Sequence, residues 1–220
     1  MSYYVVVEGA CSEVKVYPKW ISLLNPSLTQ VHSLEDVEDG CYYLVSGFGY
    51  PNYFSVIDNA LKDMEVYPRI GWLVIAVDAE SMSYGEKKRE ILDYVSTSKI
   101  ATKTKIIIQN ACLETWALGN KLIIKRHPGD LKLREYLRIH DVTQKDPEEL
   151  PHLPREKLNR AQFAGAFLRR ALRDKYPKLI YSKRDPQVIV HEKYFQQLVK
   201  RNREDNHIRS FSDFLGAFSA

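Results

Sequence analysis

Ile70-Gly71-Trp72-Leu73-Val74-Ile75-Ala76-Val77, running into Asp78-Ala79-Glu80, is the stretch that decides the fold class. An apolar run without polar alternation, bounded by turn residues and rich in β-branched side chains, suits a strand buried on both faces, which places it at the centre of a parallel sheet. Shorter runs of the same kind lie on either side. Tyr3-Tyr4-Val5-Val6-Val7 leads into Glu8-Gly9-Ala10-Cys11-Ser12-Glu13, and Cys41-Tyr42-Tyr43-Leu44-Val45 is closed by Ser46-Gly47-Phe48-Gly49-Tyr50-Pro51. Lys105–Ile108 is a further strand candidate.

Between these runs the periodicity changes to that of helices. Val14, Tyr17, Ile21 and Leu24 share one face, with Ser12 as a candidate N-cap and Pro18 expected to kink the helix or mark its start. Phe54, Ile57, Leu61 and Met64 form a second face, and Ile91, Leu92 and Val95 are expected to turn the helix of Ser83–Thr97 inward. Strands alternating with amphipathic stretches predict an α/β fold with a mainly parallel, Rossmann-like sheet of four or five strands flanked by helices. Beyond residue 125 the texture becomes helical and loop-rich. Helices are expected over about Glu156–Lys175, Val190–Arg203 and Phe211–Phe218, with loops at His127–Asp130 and Gln144–Arg155. The expected division is 1–125 as an α/β domain and 126–220 as a basic, mainly helical C-terminal region.

Of the 220 residues, 45% are hydrophobic and 27% charged, an ordinary globular balance. No run approaches the roughly 20 apolar residues of a membrane span, and the N-terminus lacks the pattern of a secretion signal, so a cytoplasmic location is expected. The odd, widely spaced cysteines Cys11, Cys41 and Cys112 argue against a disulfide framework or a cysteine zinc site. His127, His140, His152 and His191 have no metal-ligand spacing. Gly47-Phe48-Gly49 runs into Tyr50-Pro51 and opens no helix on a third glycine, so it reads as a turn and not a dinucleotide fingerprint.

Charge is divided unevenly. Residues 1–120 carry 10 Lys and Arg against 15 Asp and Glu, a balance of −5, whereas residues 121–220 carry 22 against 13, a balance of +9. An acidic half beside a basic half fits a metal site joined to a polyanion-binding surface. Glu8, Asp78 and Glu80 follow strand candidates, and hard divalent cations take carboxylate oxygens converging from such strand ends. The plainer alternative is that these acids cap helices or face solvent. Lys121, Lys125, Arg126, Arg169, Arg170 and Arg173, with Lys200, Arg201 and Arg203 further on, are candidates for holding nucleic-acid backbone, or else form ordinary solvated helix faces. Trp116 reads as core.

Taken jointly, Glu8-Gly9 after the first strand and Asp78-Ala79-Glu80 after a later buried strand resemble the Toprim superfamily. Its members carry a glutamate, usually followed by glycine, and an Asp-x-Asp motif at those places; here a glutamate replaces the second aspartate. Glu8 to Glu13 and Leu113-Glu114-Thr115-Trp116 look like the small RloB-like and OLD-type Toprim proteins of phage-defence systems. The likeness covers about residues 1–120.

That resemblance implies a Toprim-like catalytic domain and a nuclease that hydrolyses phosphodiester bonds of DNA or RNA with Mg²⁺ or Mn²⁺. Glu8, Asp78, Glu80 and Glu114 would then be catalytic, and Glu8, Glu13, Asp78 and Glu80 would be metal ligands. Two cations about 4 Å apart would stabilise both the attacking and the leaving oxygen without a protein nucleophile. The resemblance also implies an effector acting with an ATPase partner or as a homo-oligomer; the chain itself has no Gly-x-x-x-x-Gly-Lys-Ser/Thr loop. A non-catalytic binding module and a primase-like nucleotidyl transferase are the alternatives.

Overall fold

The computed structural model describes residues 1–153 and 157–219. It is an α/β fold built on one five-stranded sheet of β1 (Tyr3–Val7), β2 (Thr29–Val31), β3 (Cys41–Ser46), β4 (Trp72–Asp78) and β5 (Thr104–Gln109), in the order β2-β3-β1-β4-β5. β1 pairs in parallel with β3 on one side and β4 on the other, and β2 pairs in parallel with β3. The centre therefore belongs to β1, all five of whose residues are buried, while β4 is an interior strand next to it. The continuous apolar run of β4 is explained by either position, since both strands are covered on two faces.

Among the described residues the helices are α1 (Glu13–Leu24), α2 (Tyr53–Val66), α3 (Tyr84–Val95), α4 (Leu113–Ala117), α5 (Leu131–Ile139), α6 (Arg160–Lys175), α7 (Glu192–Asp205) and α8 (Phe211–Phe218). None is long and apolar enough to cross a membrane. α1 starts before Pro18 and continues past it, so the proline neither begins nor ends the helix. The Ser12 hydroxyl caps no backbone group; it donates to Glu13 at 2.6 Å. On α3, Ile91 and Val95 are buried, but Leu92 is 48% exposed and lies off the inward face. On α2 the buried positions are Tyr53, Ile57, Ala60 and Met64.

The chain forms two compact units that are not a simple division at residue 125. One comprises Met1–Val77, Gly85–Ile108 and Asp213–Ala220; the other comprises Asp78–Tyr84 and Gln109–Ser212. In the first, the C-terminal helix returns to the sheet domain. Phe214 sits edge-on to Tyr17 and Trp20, with ring centroids 5.2 and 6.0 Å away, and Phe218 packs 5.5 Å from Tyr3. Asn25 Nδ2 donates to Phe218 O at 3.1 Å and Lys105 Nζ to Ala217 O at 2.9 Å, which satisfies carbonyls left open at the helix end.

The second unit is helical. Asp130 caps α5 by accepting from Leu133 N–H at 2.9 Å, and Asn159 with Gln162 makes a capping box that starts α6. Tyr136 of α5 packs edge-on against Phe163 of α6 with centroids 4.9 Å apart. Trp116 is fully buried, as its spacing predicts, and donates to Ser210 Oγ at 2.7 Å. Glu156, the expected start of α6, and the Pro154 and Arg155 of the expected loop lie outside the described residues.

Candidate functional site

β1 hands the chain directly to Glu8. The Glu8 N–H donates to Ala76 O of β4 at 2.8 Å, which continues the ladder one step past the Val7–Ala76 pairing, and the Glu8 carbonyl accepts from Gly49 N–H at 2.8 Å. Glu8 is only 7% exposed. Its neighbour Gly9 leaves room for the Glu13 carboxylate, which lies where a Cβ at position 9 would go and would have to shift to admit one. Glu13 is buried in the first turn of α1 and is held by Ser12.

Tyr53 and Lys87 complete this environment. Lys87 Nζ, buried on α3, donates to Tyr53 Oη and to Glu90 Oε2, both at 2.7 Å. Burial pushes the Tyr53 hydroxyl up to about 12 against the lowering effect of Lys87, with the Glu90 and Glu8 carboxylates adding to the rise. For Lys87, burial disfavours the charged form, but Glu90 and Tyr53 outweigh it and hold the ammonium above its ordinary value. The turn that follows β3 exposes Phe48 and Tyr50, the first at φ +60° with its N–H bonded to Ser46 Oγ at 3.0 Å.

Asp78 is the last residue of β4 and is 7% exposed. The strand ends there, so the alternation that would carry Glu80 onto the same face as Asp78 does not persist. Glu80 is exposed at φ +49°, in a turn fixed by its N–H to Ala111 O at 2.8 Å and by Met82 N–H to Ala79 O at 2.9 Å.

Within the helical unit, Asp78 and Glu114 both act on Cys112. Burial raises that thiol well above its ordinary value, and the two carboxylates raise it further. Glu114 is 1% exposed, accepts from Tyr181 Oη at 3.1 Å and has Lys183 Nζ 3.9 Å away.

The basic candidates divide into three groups. Lys121 pairs with Asp205 at 2.7 Å and Lys125 with Asp174 at 3.5 Å, so each already has a carboxylate, while Arg126 is exposed. Arg169, Arg170 and Arg173 of α6 line one cavity. Arg201 is not on a nucleic-acid face: it is buried, and its Nη2 donates to the carbonyls of Val142 at 2.9 Å and Lys145 at 2.8 Å. Guanidinium donors are consumed there by loop carbonyls, a role that periodicity alone does not reveal.

Sequence reasoning missed Tyr53, Lys87, Tyr181 and Glu148. Glu148 carries a carboxyl that burial pushes up to about 7, with Asp146 adding to the rise, and it accepts from both the N–H and the hydroxyl of Ser210. A lysine inside a charged helix and tyrosines without a motif leave no sequence signal. Among the described residues no group of three or more His, Cys, Asp or Glu is placed to hold a metal ion. No family model, curated protein or solved structure matches the chain.

Proposed function

We propose that the protein is a metal-dependent phosphodiester hydrolase acting on DNA or RNA, with Glu8 and Asp78 as its principal acids. Glu8 carries this reading: it is buried and follows directly on β1, the central strand of the parallel sheet, and the Toprim resemblance adds Asp78, the last residue of β4. The chain leaves β1 toward β3 on one side and later returns to β4 on the other, so the strand order reverses between them. Open α/β sheets bind ligands outside the carboxyl ends of the strands at such a reversal.

Mg²⁺ and Mn²⁺ do not need a cage of protein carboxylates. Magnesium keeps several waters and is commonly held by one or two carboxylates together with substrate phosphates. A divalent cation bound there would supply Lewis acidity toward a phosphate oxygen. Glu8 and Asp78 would hold it, Glu114 would serve as a further acid in its buried setting, and Glu13 and Glu80 take secondary places. Lys87 and Tyr53 lie near Glu8 and would position it and offset negative charge. Exposed Phe48 and Tyr50 offer faces on which unpaired bases can stack. Action with an ATPase partner in phage defence belongs to the same proposal and rests on the Toprim resemblance; a cytoplasmic setting belongs to it too and rests on the sequence pattern of the N-terminus.

The test is cleavage of plasmid, linear DNA and RNA in Mg²⁺ or Mn²⁺ by wild type, Glu8→Gln and Asp78→Asn. Loss of cleavage in both variants, with folding intact, supports the hydrolase. Equal cutting by the variants removes the assignment, and an inert wild type that also shows no Mn²⁺ affinity favours a binding module.

A further inference from the structure

α6 presents Arg169, Arg170 and Arg173 to a cavity of about 360 Å³ whose walls include Tyr136 and Tyr181. Among the described residues, the carboxylate in contact with these guanidiniums is Asp130. It takes Arg170 Nη1 at 2.9 Å and has Arg173 Nη2 at 3.6 Å. Asp130 is also spent on capping α5; burial raises its carboxyl, but the Leu133 N–H and Arg170 outweigh that and hold it below the usual carboxylate range. Among the described residues the three arginines share that one carboxylate directly; the neighbouring Asp174 accepts from Asp130 N–H at 2.9 Å and is paired with Lys125.

Arg173 is 67% exposed, so its donors reach a ligand from solvent, whereas Arg170 is fixed between Asp130 and the face of Tyr136, 5.9 Å from the ring centroid. The rim adds the apolar side chains of Leu179 and Ile180, 44% and 82% exposed. Planar guanidinium forks match the oxygens of a phosphate, and an apolar rim suits the uncharged part of the same molecule. The volume falls at the small end of the roughly 300–1,000 Å³ range of ligand sites and so admits one nucleotide unit and not a longer stretch of chain. Tyr181 links the cavity to Glu114, because it lines the wall while its hydroxyl donates to that carboxylate.

We propose that this arginine cavity binds the terminal phosphate of a nucleotide, as a free nucleoside monophosphate or as the 5′-phosphorylated end of a strand. The choice of a nucleoside as carrier rests on the proposed hydrolase; the anion site itself rests on the arginines and stands without it.

The test is titration of the full-length protein in EDTA, which removes divalent metal and so separates binding from cleavage. The probes are AMP, adenosine, inorganic phosphate, and one oligonucleotide with either a 5′-phosphate or a 5′-hydroxyl. Saturable binding of AMP or of the 5′-phosphorylated strand, weakened at least about tenfold by Arg173→Glu or Arg169→Glu, is expected from loss of a charge-assisted hydrogen bond. Preference for the free nucleotide over the strand, or the reverse, identifies the source. The proposal is overturned if neither phosphorylated probe binds, if adenosine or the 5′-hydroxyl strand binds as well, or if the folded variants bind as wild type does. Circular dichroism of both variants excludes unfolding as the cause of lost binding. If AMP binds while nucleic acid is never cut with metal present, the cavity stands and the hydrolase falls.

Discussion

The Glu13 carboxyl group fills the space beside Gly9: a Cβ built on Gly9 would lie 2.7 Å from Glu13 Cδ and 2.8 Å from Oε1. Glycine after Glu8 is therefore favoured by a side chain five residues away from that glutamate, and Gly9 and Glu13 form one packed unit. Gly9→Ala must push Glu13 from its hydrogen bond with Ser12, at a cost of about 1 kcal/mol. Urea unfolding of Gly9→Ala, Glu13→Ala and the double variant checks this. The alanine at 13 makes room, so the double variant should be more stable than the two single losses added together; strict additivity would show that the contact does not constrain position 9.

Glu148 predicts a pH dependence with a definite sign. The carboxyl titrates near 4.5 when exposed and is pushed up to about 7 in the fold. Below the lower value it is protonated in both states and carries no penalty. Between the two values the unfolded chain loses its proton while the folded chain keeps it, so stability falls as pH rises and becomes level above the upper value. Glu148 is not fully enclosed, which reduces the slope below its limit of about 1.4 kcal/mol per pH unit. Glu148→Gln retains an oxygen for Ser210, and the difference in unfolding free energy between variant and wild type should move in the variant's favour from pH 4.5 to 7. A difference that stays flat across that window would show that Glu148 ionises normally.

Arg201 of α7 clamps the loop before residue 147 through Val142 O and Lys145 O, and Asp205 Oδ2, one turn on in the same helix, accepts from its Nη1 at 3.2 Å. Lysine cannot reproduce a planar fork with several fixed donors. Arg201→Lys should lower stability by about 2 kcal/mol through unsatisfied carbonyls and a poorly paired buried charge, and thermal unfolding reads it directly. Arg203→Lys on the exposed face should be close to neutral, and equal effects at the two positions would contradict the clamp.

These residues also show what a sequence can carry. Strands β1, β4 and β5 were legible because a strand buried on both faces needs an uninterrupted apolar run, β3 because its aromatic and β-branched residues run into a glycine- and proline-rich turn, and helices α6, α7 and α8 because their apolar faces recur at helical spacing. β2 escaped notice because Thr29–Val31 is a three-residue, partly exposed edge strand, too short to show a period. Glu8 and Asp78 could be named from their places at strand ends. The meeting of Lys87 with Tyr53, or of Tyr181 with Glu114, joins residues 34 and 67 positions apart. Such pairs depend on tertiary packing, and local pattern holds no trace of them. The return of α8 to the sheet unit is illegible for the same reason, since its apolar face would suit either unit.

Asp78 and Glu80 are the sharpest test of the proposed site, because the motif treats them as a pair and the backbone separates them. Asp78 ends β4 as a buried carboxylate, whereas Glu80 sits exposed in the left-handed region. If Asp78 holds the metal, Asp78→Asn should lower cleavage by roughly 10²–10⁴, the range associated with loss of a positioned catalytic group. Glu80→Gln removes an exposed carboxylate that sits in a turn beyond the strand and should cost only a few-fold. Glu80→Gly should keep comparable activity and gain up to about 1 kcal/mol of stability, since glycine adopts a positive φ without steric cost. Cleavage rates and urea midpoints for the three variants separate the possibilities: equal, severe loss at both acids would mean that Glu80 swings back to the metal during the reaction and that the pairing in the motif is functional after all.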